Sequence, residues 1–285
     1  MSAPGVPPDR KGRVRALLRR VVPPAWRKAA RSLAAKAGDF SPLDARDRLP
    51  AAVHSVLRLP RESVLPPPHL RFRACGSRVR ANFLSTGGGA ADDVLASFEA
   101  CRRPNLSYGR WLDFGCGCGR VARHLLRSPH VEELWGVDVD GDAVDWCARH
   151  LRGRFFRIGP EPPTPLPSAS FEAVYAGSVF THLDEAAQER WLGELHRVTK
   201  PGALVIASTH GPRLSWIRPD LTPDAARELD QRGFLFAPGS GPFNADTAFH
   251  AEDYLKRVWG RFFTLRDFRP HGLTAYQDLA VWERP

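Results

Sequence analysis

The stretch Trp111-Leu-Asp-Phe-Gly-Cys-Gly-Cys-Gly-Arg120 places an acid, Asp113, two residues ahead of glycines at 115, 117 and 119. An apolar run leads into it and a helix-like segment follows, so the chain turns from strand to helix around a small polar ligand. Glycines there let backbone approach such a ligand closely. Asp113 can hold an ammonium, and the free N–H groups of the helix beginning near Arg120 can receive a carboxylate. A second acid, Asp138, stands 19 residues after Gly119 in Trp135-Gly-Val-Asp-Val-Asp140. At the end of the next apolar run its carboxylate can accept from both hydroxyls of a ribose. Asp140 suits the N-cap of the following helix. A dinucleotide fingerprint needs glycine or alanine where Arg120 stands, so the nicotinamide pattern fails. The ribose carboxylate alone does not choose between nucleoside cofactors.

A third group of reactive residues follows a later apolar run, in Phe171-Glu-Ala-Val-Tyr-Ala-Gly-Ser-Val-Phe-Thr-His182-Leu. His182 is the candidate general base, a role that competes with a structural one as a helix cap or packing residue. Ser178 and Thr181 are placed to line the reacting position. His210 is a second pocket candidate, and Tyr276 and Gln277 can face a substrate or serve as plain sheet residues.

These residues need a scaffold that brings strand ends together. Strands are expected over 110–114, 134–139, 155–158, 171–176 and 203–208, with helices over 119–127, 142–151 and 185–198. This alternation implies right-handed crossovers and a parallel sheet with helices on both faces. In such α/β sheets ligands bind beyond the carboxyl ends of the strands. Helices over 223–232 and 253–259 and strands over 262–268 and 276–282 are expected to close the sheet, with 233–250 rich in loops. Residues 69–109 read as short extended pieces, then Gly87-Gly88-Gly89 as a turn, then a helix over 94–100. The expected division is 1–65, a basic, partly helical extension with a Pro-rich linker, and 66–285, a single domain. Within that domain 66–109 form a cap and 110–285 the core.

The net charge of +10 is uneven. Residues 1–60 hold 13 Lys/Arg against 4 Asp/Glu, so the remainder is close to neutral. The segment 10–36 has apolar residues at helical spacing with a basic opposite face. It is expected to pack as a solvated helix or to contact an anionic membrane surface, with nucleic acid less favoured. No apolar run of membrane-spanning length and no secretory signal is apparent. The five cysteines at irregular spacing argue against a disulfide framework. Cys116-x-Cys118 is half of a metal pattern without a second Cys/His pair at zinc spacing, so no metal is expected. These features favour the cytoplasm, with a peripheral place at the inner membrane face as the corollary of a membrane contact.

Asp113 with the Gly-x-Gly-x-Gly turn, Asp138, the Phe171–Leu183 run and the later Arg197-Val-Thr-Lys-Pro-Gly-Ala-Leu-Val-Ile segment together resemble the class I S-adenosylmethionine (SAM)-dependent methyltransferases. The resemblance covers residues 110 to about 210 and is looser to 285. It implies an α/β, Rossmann-like seven-stranded sheet of order 3-2-1-4-5-7-6 with strand 7 antiparallel. It also implies SAM as cofactor and S-adenosylhomocysteine (SAH) as product. The cofactor residues it implies are Asp113, Gly115, Cys116, Gly117, Gly119, Asp138, Val139, Gly159 and Ser178, with His182 as base and Thr181 and His210 toward the acceptor. Two departures stand out. Glu172 replaces the usual aspartate at the start of strand four, and Gly159-Pro160-Glu161 lacks the common aspartate at adenine. The Ser-Val-Phe-Thr-His-Leu run is similar to bacterial enzymes acting on small molecules or glycans. The expected acceptor is therefore an O or N atom of a small metabolite, saccharide or lipid-linked intermediate. The alternatives are an RNA methyltransferase or a non-catalytic SAM-binding protein. Strand four lacks the Asn/Asp-Pro-Pro-aromatic signature of many nucleic-acid amino methylases, and the body lacks the basic excess that phosphate tracking needs.

Overall fold

The computed structural model describes residues 64–218, 220–239 and 246–285. The extension, including the segment 10–36, lies outside them. Among the described residues nine strands fall in two sheets. The large sheet holds β1 (Arg110–Phe114), β2 (Glu133–Asp138), β3 (Arg154–Arg157), β4 (Phe171–Ala176), β5 (Thr199–Thr209), β8 (Thr264–Leu273) and β9 (Gln277–Glu283). Its order is β3-β2-β1-β4-β5-β9-β8. The first five strands pair in parallel, and β9 runs antiparallel between β5 and β8. This is the expected seven-stranded order.

Parallel neighbours require crossovers. Helices α4 (Gly141–His150) and α5 (Glu185–Val198) supply two of them. Each starts on an aspartate. Asp140 accepts from Ala143 N–H at 3.3 Å and Asp184 from Ala187 N–H at 2.7 Å, satisfying donors that a helix start leaves open. Phe83, Ala90, Val94 and Phe98, with Val144 and Cys147 of α4, cover one face of the sheet. Trp191, Leu192 and Leu195 of α5, with Tyr254 and Leu255, cover the other. The latter pair belongs to α7 (Glu252–Val258). Between β1 and β2 lies a single turn, α3 (Ala122–Leu125), and α6 (Pro223–Arg232) follows β5.

Residues 69–109 differ from expectation. In place of extended pieces and a glycine turn there are two helices, α1 (Pro68–Cys75) and α2 (Arg80–Cys101). Gly76, at φ +66°, closes α1 with its N–H on the Phe72 carbonyl. The three glycines lie inside α2, and at Gly87 the helix presses on the loop after β1. A Cβ at Gly87 would overlap the carbonyl oxygen of Arg120. Around the expected boundary at residue 65 the chain is tied to the main domain. Val64 and Leu65 are buried, and Arg123 and Arg71 donate to the carbonyls of Val64 (3.1 Å) and Pro66 (2.7 Å).

Two further differences lie near the site. The loop-rich stretch 233–250 contains an antiparallel ribbon, β6 (Phe234–Ala237) with β7 (Thr247–His250). The fifth strand is longer than expected, and Pro201-Gly202 forms an irregularity within β5, where pairing jumps from Phe171↔Thr199 to Ala173↔Leu204.

The expected contact of residues 10–36 with an anionic membrane, and a place at the inner membrane face, are corrected. Among the described residues no helix is long and apolar enough to cross a membrane. The longest, α2 at 22 residues, carries Asp92, Asp93 and Glu99 and is used up in covering the sheet.

The glycines of α2 make opposite predictions. Glycine inside a helix costs about 0.5–1 kcal/mol relative to alanine. At Gly88 a Cβ would meet only His124, at 3.6 Å, so Gly88→Ala should raise the thermal midpoint. Gly87→Ala should lower it, since the Arg120 backbone must move. Thermal unfolding of the two variants in parallel reads the contrast.

Candidate active site

One cavity of about 900 Å³ opens at the carboxyl ends of β1, β2 and β4. Asp113 and Asp138 both face it, as do Gly115, Cys116, Gly117, Val139, Ser178 and His182. Gly115 and Gly117, at φ +79° and +50°, present bare backbone there in a conformation that L side chains rarely adopt. The Asp138 carboxylate fastens the loop. One oxygen accepts from Gly117 N–H at 2.7 Å and the other from Asp140 N–H at 2.9 Å. Val139 is half exposed and faces the cavity as a free apolar surface.

Other expected residues stand back. Gly119 packs under α4, where a Cβ would strike Leu151. Gly159 itself is off the cavity, but its neighbours Ile158 and Pro160 line it. Thr181 is fully buried. His210 is buried behind the cavity, its ring centroid 6.5 Å from that of His182. Glu172 lies at the far end of β4, accepting from Arg110 N–H at 2.6 Å and pairing with Lys200. Its replacement of aspartate therefore leaves the site untouched.

Burial raises the Asp113 carboxyl to about 7, the Asp138 charge adds to the rise, and Arg120 opposes it. Burial also raises Asp138, against the N–H groups of Asp140 and Gly117. Two carboxylates in one site resist joint ionisation. One Asp113 oxygen is buried without a hydrogen-bond partner. His182 Nδ1 lies 2.7 Å from the Asp246 carbonyl. The carbonyl can only accept, so Nδ1 carries the proton and Nε2 is left as a base. Burial lowers the His182 pKa, partly offset by that bond, so the ring is neutral near pH 7.

Beside it, Gln277 gathers three strands. Its Oε1 accepts from Ser178 (2.9 Å) and Ser208 (2.7 Å), and its Nε2 meets His210 Nε2 at 3.1 Å. Burial, reinforced by His182, lowers His210 to about 4. His210 is thus a neutral strut accepting the Gln277 amide proton.

Residues 112–207 match the sequence profile of a family described as a methyltransferase domain. Together with the sheet order, this decides the architecture. The chain has the class I SAM-dependent methyltransferase fold. It is 27% identical over 148 residues to phthiotriol/phenolphthiotriol dimycocerosates methyltransferase 1 of Mycobacterium ulcerans, covering 50% of this chain and 53% of that protein. It is 28% identical over 109 residues to the fatty-acid O-methyltransferase of Mycolicibacterium smegmatis, covering 36% and 38%. The chain thus spans about half or less of these curated relatives. Among solved structures, the Burkholderia thailandensis 1,6-didemethyltoxoflavin-N1-methyltransferase, with 1,6-didemethyltoxoflavin and SAH bound, superposes with a TM-score of 0.51 at 15% identity, covering 83% of this chain and 92% of that one. At that identity the likeness is one of fold.

The cavity fits SAM, the cofactor that this fold implies, on observations of its own. It offers an unpartnered buried carboxylate oxygen for a cation, bare glycine backbone for close approach, and an apolar face at Val139 for a flat base. Among the described residues no group of three His, Cys, Asp or Glu is placed to hold a metal ion. The Cys118 thiol instead lies 3.4 Å from the Leu70 carbonyl.

The charge pair sets a pH dependence. A cationic ligand such as SAM seated at Asp113 would favour its ionised form and lower its pKa, so that binding would expel a proton wherever free Asp113 is protonated. Affinity should be level above about pH 8 and fall as pH drops through 7, by at most about tenfold per unit. Calorimetric titrations from pH 6 to 8.5 measure this, and Asp113→Asn should flatten the profile.

Proposed function

We propose that this protein transfers a methyl group from SAM to an oxygen or nitrogen of a small-molecule or lipid acceptor, with His182 as general base. The observation that carries the reading is the single cavity shared by Asp113, Asp138 and His182. When bound, SAM supplies an electrophilic methyl group on a sulfonium. Asp138 accepts from the ribose hydroxyls with the lone pairs its two backbone bonds leave free. Asp113 accepts from the ammonium, and the backbone at Gly115 to Cys116 and Gly117 lines the aminoacyl end. Val139 and the segment Ile158–Pro160 around Gly159 flank the base, with backbone groups standing in for the missing aspartate. His182 Nε2 takes the proton that the acceptor O–H or N–H gives up as its new bond to carbon forms. Ser178 lines the same end, whereas Thr181 and His210 support it from behind.

The activities named for these two curated relatives support a small or lipid acceptor, and the fatty-acid enzyme supports oxygen as the atom. The near-neutral charge outside residues 1–60 disfavours nucleic acid.

Asp138→Ala should weaken SAH binding by about 10- to 100-fold, the worth of charge-assisted hydrogen bonds lost. His182→Ala should lower kcat by about 100-fold or more and leave SAH affinity within about twofold. Calorimetry and single-turnover methylation of a panel of fatty acids, polyketide-like alcohols and sugars separate the two effects. Salt-sensitive methylation of RNA with no turnover on that panel would sink the acceptor class.

A further inference from the structure

Asp113 and Tyr175 are direct partners in the β1–β4 register. Their side chains therefore leave the same face of the sheet, and both reach the cavity. Each is almost wholly buried, at 1% and 2% exposure. Each also carries a buried polar atom without a hydrogen-bond partner, one oxygen of Asp113 and the hydroxyl of Tyr175. Leaving such a group unsatisfied costs more than a made hydrogen bond returns, so two at paired positions on one cavity wall call for an explanation.

Gly177, also on the wall, supplies part of it. A Cβ there would overlap the Tyr175 hydroxyl and the ring carbon that bears it. The hydroxyl thus occupies the space a side chain at 177 would fill. Burial raises its pKa, with Arg120 opposing, so it stays an O–H donor at any pH at which the protein works. Arg120 lines the same cavity and acts electrostatically on both Asp113 and Tyr175. The wall therefore presents an acceptor, a donor and a cation side by side. That set matches a zwitterion, an ammonium beside a carboxylate.

We propose that Tyr175 binds the α-carboxylate of the cofactor's aminoacyl end, donating its O–H to one oxygen while Arg120 supplies the balancing charge. The proposal rests on the reading of this cavity as a SAM site. It gives Arg120, whose presence breaks the dinucleotide pattern, a task, and it divides the zwitterion between Asp113 for the ammonium and Tyr175 for the carboxylate.

The test compares SAH with 5′-methylthioadenosine, which keeps the nucleoside and thioether but lacks the amino-acid end. Calorimetry on the full chain should show Tyr175→Phe binding SAH about tenfold or more weakly than wild type, with affinity for 5′-methylthioadenosine unchanged within about twofold. Arg120→Gln should repeat the pattern. Without ligand, Tyr175→Phe should melt no lower than wild type, because its hydroxyl has no partner to lose. Unchanged SAH affinity, an equal loss for both ligands, or a lower melting point without ligand would each overturn the assignment. Failure of wild-type protein to bind either ligand would instead overturn the SAM reading beneath it.

Discussion

Two carboxylates facing one cavity from adjacent strands, Asp113 buried and Asp138 partly so, set the terms for this molecule. Burying one ionised acid is costly, and burying two together is worse. The fold answers for Asp138 with two backbone N–H groups, and those bonds pin the glycine loop against β2. For Asp113 it offers Arg120 and leaves one oxygen unmatched. That deficit favours a cationic ligand over a neutral one. A neutral nucleoside gains nothing from Asp113, whereas a ligand bearing positive charge completes it. Strand order, the glycine turn and the Asp140 cap all serve to hold these two acids at one cavity.

Much of this was legible in the sequence. The first four strands between Arg110 and Ser208 announce themselves as apolar runs leading into acids or glycines, and the fifth as the run after Lys-Pro-Gly. Asp140 and Asp184 mark their helix starts, and both act as caps. Sheet order came through the family resemblance, since apolar periodicity cannot say which strand neighbours which. Asp113, Asp138 and His182 could be picked out because each ends or follows a strand, and strand ends converge in a parallel sheet.

The unread parts share one cause, that tertiary contact outweighs local signal. Three consecutive glycines read as a turn, yet Phe83, Gly87, Ala90, Ala91, Val94 and Phe98 follow a helical period. The need to pass close to Arg120 explains the missing side chain at 87. The four-residue strands β6 and β7 are too short to register among loop residues. Tyr175 looked like ordinary strand filler, and Asp246 had no visible signal because it acts through its backbone carbonyl. Thr181 and His210 lie near the site in sequence terms but face inward from the turn and from β5, which spacing alone does not reveal.

The ribbon of β6 and β7 carries a wider meaning. It sits outside the seven-stranded sheet, yet the residue just before β7, Asp246, orients His182. On the proposed reading, the groups that hold the nucleoside and aminoacyl ends lie in the main sheet and the loops at its strand ends, while the general base takes its orientation from the ribbon. Evolution can therefore lengthen, replace or re-aim that appendage to suit a new nucleophile without disturbing the machinery that grips the methyl donor.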